Sequence, residues 1–304
     1  MLRVKDAEVS LKFYTEHFGF TLLRQSDFPQ WNFSLIFLAI LPEGMTWPDP
    51  KSEEALDALW KYEGVVLELT HNHGTENDEN FKVNNGNEEP HRGFGHIAVM
   101  TKDVEEDCVA LEENGVQFRK RPNEGMMKGL AFALDPDGYW IEIIRREQDS
   151  PINNKYTFAQ TMLRVKDPVK SVAFYRDIMG MNLCYKSDHA QGKFSNYFMT
   201  HAAEDSAMKM VFEPVIELTH NHGTEDQADF KYHNGNTEDE DALRGFGHTG
   251  FLVDDLDGAC EWLEQQGVTF KKKPTEGNMR NIAFAYDPDG YWVEIIDRGM
   301  KISF

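Results

Sequence analysis

Six residues of this sequence have the types and the spacing to hold a cation. Glu68, His96 and Glu142 form one series, and Glu217, His248 and Glu294 form another. The interval from histidine to the second glutamate is 46 residues both times (96 to 142, 248 to 294), and the first glutamate precedes the histidine by 28 and 31 residues. Each residue stands in a short apolar run. In VVLELTH, alternation puts Val65, Leu67 and Leu69 on one face and Val66, Glu68 and Thr70 on the other. In GFGHIAV the face of His96 includes Phe94 and Ala98, and in YWIEII the face of Glu142 includes Trp140 and Ile144. A carboxylate among apolar neighbours must be paired, protonated or bound to a cation, because burying it alone costs several kcal/mol. One such glutamate is more often the partner of an arginine or lysine, and a lone strand histidine is usually a hydrogen-bonded core residue. Duplication by itself could preserve such a set, so the two copies are not independent witnesses. Even so, two hard carboxylate donors and one imidazole describe a Zn²⁺, Ni²⁺ or Mn²⁺ site better than a structural salt bridge. His71, His73, His220 and His222 read as site-rim or loop residues, not ligands.

The elements that must position these residues are themselves repeated. MLRVKD at 1–6 returns at 162–167, LELTHNHGTE at 67–76 returns as IELTHNHGTE at 216–225, RGFGH at 92–96 returns at 244–248, and DPDGYWIEII at 135–144 returns as DPDGYWVEII at 287–296. The offset falls from 161 at the start to 152 at the later motifs, mainly through extra residues in the first copy around PEGMTWPDPKSEEALDALW. That polar, proline-containing stretch reads as a surface insertion. Each copy divides again into two units of strand, helix, then strands. Asp167–Pro168 opens a helix with Val172, Tyr175 and Met179 as its buried stripe before Gly180, matched by Leu11, Tyr14, Phe18 and Gly19. Asp103 opens another with Val104, Cys108 and Leu111 before Gly115, matched by Asp255, Leu256, Cys260, Leu263 and Gly267. The expected architecture is α+β, with four βαβββ-type units in two repeats and mixed sheets curved around sites. Domains are expected over 1–146 and 157–304, joined by a polar linker at 147–156.

The totals narrow the function classes. A chain of 304 residues suffices for two cores. With 52 acidic against 31 basic residues the formal charge is −21, which argues against nucleic acid or an anionic membrane as partner. The N-terminal MLRVKDAEVS has charges where a signal peptide needs an apolar stretch, and the longest apolar run, Leu35 to Leu41, is too short to span a bilayer. Cys108, Cys184 and Cys260 form no CxxC motif and cannot all pair, so a cytoplasmic location is expected, with Cys108 and Cys260 as small core residues.

At QTMLRVKDP (160–168), ELTHN (68–72, 217–221), RGFGH and DPDGYWIEI the sequence resembles the glyoxalase I family in its fused two-copy form, over nearly the whole chain. The resemblance implies a fold of the vicinal-oxygen-chelate type and isomerisation of the methylglyoxal–glutathione hemithioacetal to S-D-lactoylglutathione. It implies a divalent metal, zinc in the eukaryotic type and nickel in many bacterial members, and a monomer in which one chain carries two sites. It further implies sites made across copies: Gln160 and Glu217 with His96 and Glu142, and Glu68 with His248 and Glu294. The Gln–Thr pair ahead of Met162 has no counterpart ahead of Met1, so either further residues supply it or the second set has three donors and is the weaker. By the same resemblance Glu142 and Glu294 are the main bases, with Glu217 and Glu68 able to shuttle the proton.

Glutathione carries two carboxylates and needs local cations despite the acidic total. The matching positions are Arg3 and Arg164, Asn72 and Asn221, Arg92 and Arg244, and Lys120 and Lys272. The loops EGMMKG (124–129) and EGNMRN (276–281), with Met127 and Met279, match a segment that covers the site. Another enzyme of the superfamily is the first alternative. Extradiol dioxygenases want two histidines and one carboxylate, against one histidine per set here. A glutathione- or metal-binding module without turnover is the second; the two glutamates of DPDGYW-x-EI argue against it.

Overall fold

The structure, a computed structural model of the chain, describes residues 1–147, 150, 152–202, 215–237, 243–277 and 280–299. Four βαβββ units follow one another. The first comprises β1 (Leu2–Val4), α1 (Ala7–Phe18), β2 (Thr21–Phe28), β3 (Phe33–Ala39), a short helix α2 (Glu53–Leu59) and β4 (Leu67–Asn72). The second holds β5 (Phe94–Thr101), α3 (Val104–Glu113), β6 (Gln117–Lys120), β7 (Ala131–Leu134) and β8 (Trp140–Arg145). The third holds β9 (Thr157–Val165), α4 (Pro168–Ala173) continued by a π-helical turn at Phe174–Ile178, β10 (Asn182–His189), β11 (Phe194–Thr200) and β12 (Val215–Asn221). The fourth holds β13 (His248–Val253), α5 (Leu256–Gln265), β14 (Phe270–Lys272), β15 (Ile282–Tyr286) and β16 (Trp292–Asp297).

Within every unit the first strand pairs in parallel with the last, and the others follow antiparallel, so the order is first, fourth, third, second. Units two and three merge into one eight-stranded sheet through the antiparallel pair β5–β9, whereas units one and four each form a four-stranded sheet.

Local chemistry accounts for the helices. Asp6, Asp103, Asp167 and Asp255 sit in extended conformation at the N-caps and accept first-turn amides, and Gly19 closes α1 in the left-handed region at φ 69°. Tyr14, Phe18, Tyr175, Cys108, Leu111, Cys260 and Leu263 then point into one core shared by all four units.

The DPDGYW loops lock units together. Asp135 accepts the amides of Asp137 and Tyr139 on Oδ1 and the Tyr14 hydroxyl on Oδ2, while Asp137 accepts the Lys5 amide and the Tyr139 hydroxyl donates to the Arg3 carbonyl. Asp287, Asp289 and Tyr291 repeat this against Tyr175, Lys166 and Arg164. Burial and the neighbouring Asp137 push the Asp135 carboxyl up to about 7, and Asp287 likewise reaches about 7. A raised folded-state value means the stabilisation this proton gives is fully present below about pH 4, where the unfolded chain is protonated too, and is lost as pH rises through 7. Asp135→Asn keeps the Oδ1 acceptor and can donate to the Tyr14 oxygen. Its stability relative to the parent should therefore rise between pH 4 and 7, by about 1.4 kcal/mol for each step of one in pH and a few kcal/mol in all. Denaturant titrations across that range check it; parallel stability curves would contradict the raised value.

Two expectations need correction. The stretch around PEGMTWPDPKSEEALDALW is a surface insertion only in part: residues 43–46 are exposed, whereas Ala55, Leu56, Leu59 and Trp60 of α2 and its end are buried, the last three in one cluster with Leu23, Phe37, Ala39 and Leu41 and, from the other copy, Ile282 and Ile296. A polar average hid an amphipathic turn with four apolar residues on one side. Phe94 also leaves the face of His96. Pairing between β5 and β9 shifts between Phe94 and His96, and Phe94 stacks on Phe246 at 5.0 Å in the shared core. At Gly95 an added Cβ would lie 2.2 Å from the tip of the Met162 side chain, which would have to move to admit it.

Candidate metal centres

The strand faces bring the six residues into two clusters, each drawn from both copies. His96 on β5 and Glu142 on β8 lie side by side in one sheet, and the β5–β9 pairing carries β12 with Glu217 to the same place. His96 Nε2 stands 3.3 Å from Glu142 Oε2 and 3.3 Å from Glu217 Oε2. Gln160 on β9 completes this group, its amide nitrogen donating to Glu142 Oε2 at 2.8 Å and Glu217 Oε2 at 2.7 Å. A half-turn of that carboxamide presents its oxygen to a cation. In the other cluster His248 Nε2 lies 3.3 Å from Glu68 Oε2 and 3.0 Å from Glu294 Oε2. In each cluster the donor atoms all lie within 4.8 Å of one another, and five of the six residues are buried.

Electrostatics shows what these groups demand. Burial alone would lower the His96 value, yet Glu142 and Glu217 outweigh it and raise the imidazole to about 9. His248 is raised in the same way by Glu294 and Glu68 against its own burial. Without a cation, a protonated imidazole would have to offset the two carboxylates it faces in each cluster. His96 Nε2 nonetheless makes no well-formed hydrogen bond, although it is closed off from solvent. An orphaned imidazole nitrogen facing two carboxylates fits a divalent ion of the kind bound by nitrogen and oxygen donors.

A cavity of about 420 Å³ opens on the Glu217 cluster. Its wall includes Arg92, Arg164, Asn221 and Met127 among the residues the family resemblance pointed to. Arg164 is buried, with Nη1 on the carbonyls of Gly86, Gly93 and Phe94 and Nη2 on Asn87, so its position is fixed by the crossing between copies. Arg3 is held alike by Gly245, Phe246 and Asn236. Asn221 donates to the Tyr232 hydroxyl, whereas Asn72 and Arg244 are exposed. The ammonium groups of Lys120 and Lys272 donate to the Leu130 and Ile282 carbonyls, tying the ends of the covering loops. The first of those loops is hinged by Gly125 and Gly129 at φ 67° and 80° and carries the exposed Met126. Met279 lies outside the described residues.

The sequence reading missed Thr219 and Thr70, whose hydroxyls reach Glu217 Oε1 at 3.3 Å and Glu68 Oε1 at 3.5 Å. Their place two residues along the same strand face was the available signal. Of the two readings given for the THNHGTE histidines, site rim or loop, their bonds favour the loop. His71 and His220 are buried and bond Glu76 and Glu225, whose carboxylates also take the Gly74 and Gly223 amides. His73 and His222 bond Ser34 and Ser195, so the motif braces the turn after β4 and β12.

Comparison with known proteins agrees with this geometry. The model of the Glyoxalase/Bleomycin resistance protein/Dioxygenase superfamily matches twice, over residues 1–143 and 157–295. Glyoxalase I of Saccharomyces cerevisiae is 44% identical over 98% of this chain and 91% of its own length, and lactoylglutathione lyase of Schizosaccharomyces pombe is 46% identical over 98% and 95%. The crystal structure of glyoxalase I from Zea mays superimposes with a TM-score of 0.72 at 28% identity, covering 98% of this chain and 90% of that one. Fold and clusters define a tandem α+β protein of that superfamily with two places for a divalent metal. Within it, the chain belongs to the glyoxalase I family.

Proposed function

We propose that this chain is a lactoylglutathione lyase, isomerising the hemithioacetal of methylglyoxal and glutathione to S-D-lactoylglutathione and so removing methylglyoxal. The observation that carries the reading is the pair of carboxylates converging with an imidazole inside a cavity, repeated twice in a chain of this family. His96, Glu142, Glu217 and Gln160 would hold one divalent ion, and His248, Glu68 and Glu294 the other, with zinc the ion we favour. The ion would supply Lewis-acid polarisation of the substrate oxygens and offset the charge that develops when a carbon-bound proton leaves.

The chain's own residues do the rest. Glu142 takes the proton from the thiohemiacetal carbon and returns it to the adjacent one, and Glu217, facing it across the cluster, can carry it between the two. Glu294 and Glu68 act likewise. Thr219 and Thr70 steady the second carboxylate. Arg164, Arg92 and Asn221 receive the carboxylates of glutathione. Phe132, Trp140 and Ile144 wall the reacting carbons from water. All three cysteines are free, in keeping with a cytoplasmic enzyme, and among the described residues no helix is long and apolar enough to cross a membrane.

Thioester formation from methylglyoxal and glutathione, followed before and after chelation, tests the reading. Stripped protein should lose nearly all turnover and regain it with a divalent transition ion. Full turnover in metal-free protein, or none in metal-loaded protein, would sink it.

A further inference from the structure

Glu217, Thr219 and Asn221 alternate along one side of β12, so Asn221 lies about 13 Å beyond Glu217 on the same strand face. It lines the cavity together with Arg92 and Arg164. Its carboxamide nitrogen donates to the Tyr232 hydroxyl at 2.7 Å. Tyr232 is itself buried, packed edge-on against Phe230 at 4.8 Å. The next residue, His233, donates its backbone amide to the Arg92 carbonyl at 2.8 Å and pairs with Gly93, so the hydroxyl is held where the two copies cross. Burial raises the Tyr232 hydroxyl above its ordinary value, against the hydrogen bond with Asn221 and the guanidinium charges of Arg164 and Arg92, and the group stays neutral near pH 7. An amide has two N–H groups and an oxygen. With one N–H on Tyr232, Asn221 keeps one donor and one acceptor beside two guanidinium groups. The guanidinium groups and the N–H suit a carboxylate, and the oxygen suits an ammonium. A carboxylate next to an ammonium is the head of an α-amino acid, and of the two ends of glutathione only the γ-glutamyl end has one.

The other copy lacks the hydroxyl. FKVNNGN at 81–87 aligns with FKYHNGN at 230–236, which puts Val83 in the place of Tyr232. The two segments are placed alike, since Asn84 pairs with Gly245 as His233 pairs with Gly93. Val83 has no polar side-chain atom to offer Asn72, and Asn72 is exposed. A side chain free to turn in water must be ordered when it meets a ligand, whereas one already held is not.

We propose that Tyr232 is a positioning residue for glutathione at the Glu217 site, holding Asn221 ready for the γ-glutamyl head. The Glu68 site, with Val83 in that place, binds the same peptide more weakly. This rests on the function proposed above. It goes beyond it in adding a residue that sets the Asn221 carboxamide and in making the two sites of one chain unequal in affinity.

Competitive inhibition reads one site at a time. Glu294→Gln leaves the Glu217 site turning over and Glu142→Gln leaves the Glu68 site, because the clusters share no residue. For each, the inhibition constant is measured for S-methylglutathione and for S-methylcysteinylglycine, which lacks the γ-glutamyl head. Tyr232→Phe removes the hydroxyl and keeps the ring against Phe230. Added to Glu294→Gln, it should raise the constant for S-methylglutathione roughly two- to tenfold, the range for ordering one side chain. The constant for S-methylcysteinylglycine should stay where it was, and KM should rise with kcat unchanged. Added to Glu142→Gln, the same change should have no effect. The preference for the tripeptide over the dipeptide should be larger at the Glu217 site, and Tyr232→Phe should bring it down towards that of the Glu68 site. A rise shared by both ligands, no rise at all, or equal preference at the two sites would overturn the proposal. Failure of the parent protein to turn over methylglyoxal would instead overturn the function, while calorimetric titration of the parent and of Tyr232→Phe with the same two ligands would still judge the tyrosine.

Discussion

Chain variants carrying both Glu142→Gln and Glu294→Gln are expected to keep less than about one hundredth of the parent kcat, since a positioned general base contributes on the order of 10²- to 10⁴-fold. Glutamine has the shape of glutamate and can still meet the imidazole, so folding should hold. What it lacks is a lone pair basic enough to take a carbon-bound proton. Either single change should leave the turnover of the untouched site, because the two clusters share no residue. The measurement is steady-state thioester formation with metal content determined on each variant. A double variant retaining more than about a tenth of parent activity, with its fold intact by circular dichroism, would show that neither glutamate is the base, since a general-base loss exceeds that.

The second large effect concerns which residues work together. His96→Ala should cost the Glu217 site most of its activity, roughly 10²-fold or more for a lost ligand that also positions the ion. Glu217→Ala should cost about the same, although it lies 121 residues further along the chain. In a Glu294→Gln background, which removes the other site's contribution, the two changes combined should be little worse than either one. Groups that act as a unit are non-additive. Pairing His96→Ala with His248→Ala in the parent chain should instead abolish turnover at both sites. Multiplicative losses for His96 with Glu217, together with coupling of His96 to Glu68, would mean that each copy makes its own site.

Much of this was legible because period-two alternation is a local property. Glu68, Glu142 and His96 could be set on a strand face from five or six residues of context, and the helix caps at Asp6, Asp103, Asp167 and Asp255 follow from chemistry within one turn. What failed depends on distant partners. Phe94 leaves the expected face because pairing slips where the two copies cross, at a glycine pressed by Met162. Trp60 and Leu59 are buried because Ile282 and Ile296, more than 200 residues away, complete their cluster. The braces of the THNHGTE turn were hidden for another reason. A histidine beside a turn gives no local sign of which glutamate or serine it will bond, and only the folded distances decide.

The crossing of the two copies carries a genetic meaning. In a symmetric pair of identical chains, any coding change strikes both active sites at once, so a pocket can be altered only if the cell tolerates the change twice. Here each cluster takes Glu68 or Glu217 from one copy and its histidine and second glutamate from the other, and all lie on one polypeptide. A mutation at codon 70 or 219 touches one cluster and spares its sister, which continues to supply the original activity. Dilution cannot separate the halves, because the second half is always present at the effective concentration set by the chain that joins them.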